Sequence, residues 1–226
     1  MGSSSSDLFD LFDLETTDRL LSTTRAVRKR LDLTRPVSPQ VVLDCIRLSQ
    51  QAPTGSNMQG WRWLVVSDEE KRRALAEMYR KAGADYLSAG QKQAEASGHR
   101  QTARVLGSAN YLVEHLHEVP LHVIPCLKGK LPDGAPSSMA AGYFGSIFPA
   151  IWSFQLALRS RGLGTVLTTL HLAFADEAAE LLGIPDDVTQ CALLPVAYTV
   201  GDDFKPATRR PPEHITYWNS WKQGLD

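Results

Sequence analysis

The chain has 226 residues, 43% hydrophobic and 22% charged, so it is long and apolar enough to bury one substantial core. Its 24 basic and 25 acidic side chains nearly cancel, which argues against the basic excess of a nucleic-acid binder. Cys45, Cys126 and Cys191 lie far apart with no Cys-x-x-Cys pair, against a disulfide scaffold or a cysteine zinc site. A reducing, cytoplasmic setting is the expectation. No apolar run approaches the roughly 20 residues that a membrane helix needs, and the serine-rich start lacks the positive end and apolar centre of a signal peptide.

Residues 8–21 carry Leu8, Phe9, Leu11, Phe12, Leu14, Leu20 and Leu21, a spacing that predicts a short amphipathic helix needing a partner surface. Ser38 and Pro39 read as the N-cap and first turn of the next helix, with Val42, Cys45, Ile46 and Ser49 on one face. Residues 52–60 break into a loop, Trp61–Ser67 reads as a buried strand, and Asp68 opens a charged helix to about Tyr79 or beyond. Residues 83–103 are small, polar and weakly periodic, and read as a mobile excursion or lid. A helix is expected over 104–117 and a strand over Pro120–Leu127. A loop over 128–138 then leads to one long helix from Ala140 to Arg161, stopped by Gly162. Strands over 164–170 and Gln190–Val200 flank a helix from Asp176 to Leu182, and the tail beyond Gly201 is polar, proline-rich and ends in aromatics. With no internal repeat and no dividing linker, the pattern is an α/β or α+β layered fold. Residues 1–18 read as an extension and 19–226 as one domain.

Several signatures are absent. No Gly-x-Gly-x-x-Gly follows the first strand, and there is neither a phosphate-binding Gly-x-x-x-x-Gly-Lys nor a Gly-x-Ser-x-Gly elbow. The six histidines show no metal-ligand spacing, so no metal site is expected. What remains is distributed. Thr24-Arg25-Ala26-Val27-Arg28-Lys29-Arg30 and Lys205-Pro206-Ala207-Thr208-Arg209-Arg210 are short cationic clusters, and guanidinium forks suit phosphate. On spacing alone each reads first as a solvated charged loop. The loop Ala52–Trp61 crowds Thr54, Ser56, Asn57 and Gln59 between a helix and a strand, neutral donors and acceptors suited to the edge of a heterocycle. Gly162-Leu163-Gly164 feeds a strand whose exit carries Thr168 and Thr169, and strand exits in layered folds are common ligand sites.

Taken in order, these pieces resemble the FMN-dependent nitroreductase family. The Ala-Pro-Thr-Gly-x-Asn-x-Gln-x-Trp loop running into a strand is the most specific element, and the resemblance covers roughly residues 20–218. It implies an α+β fold, a three-layer α-β-α sandwich with a mostly antiparallel sheet, in an intertwined homodimer with FMN at the interface. Arg25, Ala26 and Arg28 correspond to the N-terminal grip on ribityl and phosphate, and Lys205 and Arg209 to the C-terminal phosphate contacts. Pro53, Thr54, Ser56, Asn57 and Gln59 correspond to the loop bordering the isoalloxazine, which in such dimers often serves the other subunit's flavin. Leu167, Thr168 and Thr169 correspond to the stretch beside the ring and N5. Thr24 and Ala26 depart from the family's usual arginine and serine, Arg30 from a common aromatic, and Gly60 from a frequent proline.

The resemblance implies ping-pong reduction of small electron-poor acceptors, nitroaromatics or quinones, by NAD(P)H. The flavin carries the chemistry, and no dedicated acid–base residue is expected. Tyr79, Tyr86, Tyr143, Phe144 and Phe148 are candidates for a substrate shelf, although Phe144 and Phe148, one helical turn apart, read first as core. The alternatives are the same fold with other chemistry (dehalogenation, enone reduction or flavin fragmentation) and a non-catalytic FMN-storing protein.

Overall fold

A computed structural model of the chain describes residues 12–224. It divides into two compact units, residues 24–202 and the described parts of the two termini, 12–23 with 203–224. The terminal unit holds helix α1 (Leu14–Thr23) and the aromatic tail, where the Tyr217 and Trp221 rings lie 4.7 Å apart. Most of the expected amphipathic helix over 8–21 falls inside α1, and its first residues lie outside the described range.

The larger unit is built on a five-stranded antiparallel sheet: β1 (Trp61–Val66), β2 (Leu121–Lys128), β3 (Leu163–Thr165), β4 (Val188–Gln190) and β5 (Leu194–Tyr198). The order is β1-β2-β5-β3, with β4 also pairing β2. β2 is buried from Leu121 to Leu127, which is why it reads as a continuous apolar run rather than an alternating one. Its odd-numbered residues Leu121, Val123 and Leu127 pack with α2 (Pro39–Ser49) and α6 (Phe148–Arg159) around Phe154. Its even-numbered residues face the other helical layer: α3 (Glu69–Ala96), α4 (Arg100–His115) and α7 (Ala175–Leu182). There His122 Nε2 lies 2.8 Å from the Leu116 carbonyl just after α4, and the Gln190 amide donates to the Ala175 carbonyl that opens α7. The result is the expected three-layer α-β-α sandwich.

Five local expectations are corrected. The charged helix runs well beyond Tyr79, into the segment read as an excursion or lid. It continues as α3 to Ala96, and α4 starts at Arg100, so most of 83–103 is a helical hairpin. The weak periodicity there reflects glycines used for close packing. A Cβ on Gly83 would come within 2.3 Å of Leu170 Cδ1, and one on Gly90 within 3.3 Å of Leu106 Cδ1. The single helix over 140–161 is two, α5 (Ser137–Gly145) and α6, broken at Ser146–Ile147. The strand over 164–170 stops at Thr165, although Thr168 makes one further bridge to Leu193. The strand over Gln190–Val200 is split into β4 and β5 by a bulge. Three residues, Cys191–Leu193, stand opposite Ile124 and Pro125, so the register on β2 slips by one. Pro125, which has no N–H, turns that side toward the bulge, and its carbonyl accepts from Cys191 N at 2.9 Å. Finally, Ser38 precedes α2 as expected but makes no side-chain cap.

Candidate functional site

The N-terminal cluster is sorted by its surroundings. Ala26 bridges Thr165 in parallel, with Val27 N donating to the Thr165 carbonyl at 2.9 Å, so residues 24–28 lie against the exit of β3. Arg30 turns away and donates to the Val200 carbonyl at 2.8 Å. Lys29 lies 5.9 Å over the Tyr111 ring. Arg28 is half-buried against Ser108 of α4, at 3.3 Å, and beside the Tyr79 phenol, and its Nε is buried without a partner. Burial pushes its pKa down from the ordinary arginine value while Tyr79 opposes the shift, and a guanidinium stays charged there. Tyr79 itself is only 3% exposed, so it backs Arg28 and cannot serve as a substrate shelf. Arg25 is exposed at the same edge.

The β3 exit adds Leu167, Thr168 and Thr169. Thr168 is held by the bulge: its N and Oγ1 donate to the Leu193 carbonyl at 3.0 and 3.1 Å, and its own carbonyl accepts from Leu193 N at 2.8 Å. Its polar atoms are thus occupied, and Leu167 and Thr169 present side chains outward. The neighbouring Thr165 Oγ1 is buried and unpartnered.

The loop from Pro53 to Gln59 sits at the opposite edge of the sheet, because it feeds β1. Ser56, Asn57 and Gln59 have φ of 51°, 53° and 47°, left-handed conformations that non-glycine residues adopt at a cost. The loop is pinned by the break between α5 and α6. Gly55 N donates to Ser146 Oγ at 3.1 Å, and the Trp61 indole donates to the Ser146 carbonyl at 2.7 Å. Within it, Gln59 N donates to Thr54 Oγ1 and the Gln59 amide to Asn57 Oδ1. Pro53, Ser56, Asn57 and Gln59 are exposed. Ser146 carried no motif. The available signal was Pro149, which sits in the first turn of α6 and marks a helix start inside the supposed long helix.

Lys205 and Arg209 belong to the terminal unit, both exposed, with Arg209 Nη1 donating to the Thr208 carbonyl. Of the other shelf candidates, Tyr86 is 69% exposed on α3, Tyr143 donates its hydroxyl to the Gly129 carbonyl, and Phe144 stacks on the exposed Phe148 at 5.7 Å.

The sequence profile described as the nitroreductase family matches residues 21–198, a span that holds the arginine cluster, the strained loop and the β3 exit. The chain belongs to the nitroreductase family. An iodotyrosine deiodinase of Drosophila melanogaster is 27% identical over 162 residues, covering 70% of this chain and 54% of that protein. The chain thus spans little more than half the length of the curated relatives it matches. Among solved structures, oxidized iodotyrosine deiodinase bound to FMN and 3-iodo-L-tyrosine superposes with a TM-score of 0.65 at 22% identity, covering 90% of this chain and 99% of that one. An FMN- and NADPH-dependent nitroreductase mutant from sphigopyxis sp. strain HMH gives 0.64 at 17% identity, over 90% and 99% of the two chains. At these identities the structures establish a shared fold. For this nitroreductase-family chain, the half-buried Arg28 with an unpartnered Nε and the outward-facing polar loop suit a phosphate-bearing heterocycle.

Proposed function

We propose that this nitroreductase-family protein is a cytoplasmic FMN-dependent oxidoreductase that passes electrons from NAD(P)H to small electron-poor acceptors, nitroaromatics or quinones. The family match across one continuous frame holding the arginine cluster, the loop and the β3 exit carries the reading. When bound, FMN supplies two-electron transfer between successive partners. For a nitroarene, one NAD(P)H and one proton yield the nitrosoarene, NAD(P)+ and water. Arg25 and Arg28 hold the phosphate. Thr54, Ser56, Asn57 and Gln59 present donors and acceptors to ring heteroatoms, with Pro53 shaping the loop. Ala26 brings the arginines to the β3 edge, and Thr168 fixes the exit from which Leu167 and Thr169 flank the ring. Donor and acceptor then use the same space in turn.

The protein acts as a homodimer in this reading. The loop and the β3 exit lie at opposite sheet edges, three strand spacings or roughly 14 Å apart. A second copy's loop closing the site over residues 24–28 and 165–169 is the economical arrangement. The deciding experiment is the absorption spectrum of the purified protein, then anaerobic addition of NADPH and of NADH. A flavin spectrum that bleaches supports the reductase, and no flavin after reconstitution with FMN overturns it. Reductive deiodination is the second reading, favoured by the two deiodinase relatives. Iodide release from 3-iodo-L-tyrosine by the reduced protein distinguishes it.

A further inference from the structure

Residues 24–28 lie against the exit of β3, and from there Arg28 reaches the helical layer formed by α3 and α4. Its guanidinium is half-buried beside the Tyr79 phenol of α3. Among the described residues it has one side-chain hydrogen bond, to α4, where Nη1 donates to Ser108 Oγ at 3.3 Å. The Ser108 hydroxyl has a single proton, and that proton goes to the Val105 carbonyl one turn back, at 3.0 Å. What faces Arg28 is therefore a fixed acceptor. One turn further on, the Tyr111 ring lies 5.9 Å from the Lys29 ammonium, so the same face of α4 meets two consecutive residues of the cationic segment. The frame behind them is tied as well, because the Asn110 amide donates to Gln91 Oε1 of α3 at 2.7 Å.

We infer that Ser108 is a positioning residue for phosphate recognition. It fixes how the Arg28 fork is turned, and through it favours FMN over unphosphorylated riboflavin. A long side chain loses rotamer freedom when it grips a ligand, and one already held in place loses less. Without the Ser108 acceptor, Nη1 would join the buried Nε as a donor with no protein partner, and the guanidinium would turn to regain hydrogen bonds. The charge-assisted part of the contact belongs to the phosphate, because the ribityl chain and the oxidised ring carry no formal charge for a guanidinium to meet. The inference rests on the reading that Arg28 takes the flavin's phosphate.

Two flavins that differ only in the phosphate test it: FMN and riboflavin, each titrated into the full-length, flavin-free chain and followed by flavin fluorescence. Ser108→Ala is expected to weaken FMN about tenfold, as for one charge-assisted contact, and to leave riboflavin affinity where it was. Ser108→Thr, which keeps the hydroxyl, restores most of the FMN affinity. In an Arg28→Met background Ser108→Ala changes nothing further, because the group it positions is gone. FMN and riboflavin falling together would make the hydroxyl a support of the helix alone and overturns the inference. So does an unchanged FMN affinity, or a loss of the same size in the Arg28→Met background. Should Ser108→Ala fail to fold, Ser108→Cys keeps the shape, offers only a weak acceptor, and carries the same comparison. The reading of Arg28 is judged separately. If Arg28→Met leaves the FMN-to-riboflavin ratio unaltered, the phosphate assignment fails and takes this inference with it. If Arg28→Met removes the preference and Ser108→Ala does not reduce it, the assignment stands and Ser108 alone loses its role.

Discussion

Arg28 and Arg30 sit two residues apart in one cationic cluster, yet their guanidinium groups meet different surroundings. Arg30 is tied to the Val200 carbonyl, whereas Arg28 is half-buried with Nε unpartnered. Arg28→Met is therefore expected to weaken FMN binding by roughly 10- to 100-fold, the loss of one or two charge-assisted contacts at about 1.5–3 kcal/mol. Arg30→Met should leave flavin affinity near its original value and cost only stability. Flavin fluorescence titration of both variants checks this, and equal losses would refute the division. Ser146 is the second residue whose replacement separates roles. Removing its hydroxyl strands Gly55 N–H while the Trp61 bond to its carbonyl survives. Ser146→Ala should cost about 0.5–1.5 kcal/mol of stability, read by urea unfolding, and should loosen the loop enough to weaken flavin binding. Ser146→Thr, which keeps the hydroxyl, should restore most of both.

At the scale of elements, Gly164 shows why the arginine segment and β3 lie so close. A Cβ there would meet Thr199 Cγ2 at 2.7 Å and Val27 Cβ at 3.0 Å, neither able to retreat far. Gly164→Ala is expected to destabilise by about 1–3 kcal/mol and to weaken flavin binding by prying residues 24–28 from the sheet. In a Thr199→Ser background the nearer contact is gone and the hydroxyl bond to the Gly162 carbonyl can persist, so the penalty should be smaller. A double-mutant cycle by urea unfolding measures that coupling, and strict additivity would mean the clash is not the cause. Elements were legible in the sequence where burial is one-sided or complete: β1, β2, α2 and α7 lie close to where periodicity and breakers put them. They were obscured where tertiary contacts override local pattern. In α3, Gly83 and Gly90 interrupt the periodicity because they accommodate Leu170 and Leu106, and the bulge at Cys191–Leu193 divides an apolar run at a point where neither glycine nor proline stands. The helix break at Ser146 was marked only by Pro149.

For the whole molecule, the site segments could be found one by one in the sequence, but their partition between opposite sheet edges could not, because it depends on strand order. Two buried histidines add a global consequence. Burial drives the pKa of His122 and of His171 down to about 4, below the unfolded value near 6.5, so protonation favours the unfolded chain. Their neutral forms contribute full stability above about pH 6.5, and it is lost as the pH falls toward 4, on the order of 3 kcal/mol for each. Arg72 and His117, also near His122, act in the same direction. Urea midpoints at pH 8 and pH 4.5 should differ sharply, and the gap should narrow in His171→Gln; an unchanged gap would place the acid sensitivity elsewhere. The partition between edges makes the remaining prediction. Take one chain carrying Arg28→Met and another carrying Asn57→Ala with Gln59→Ala, each expected to hold flavin poorly alone. If each flavin is gripped by one copy's arginines and the other's loop, a mixed dimer has one site with both defects and one with neither. Co-expressed chains bearing different affinity tags, purified through both, should then recover flavin at about half of the full occupancy and regain turnover with NAD(P)H. If loop and arginines of the same copy share a flavin, every site in the mixed dimer carries a defect and neither flavin nor turnover returns.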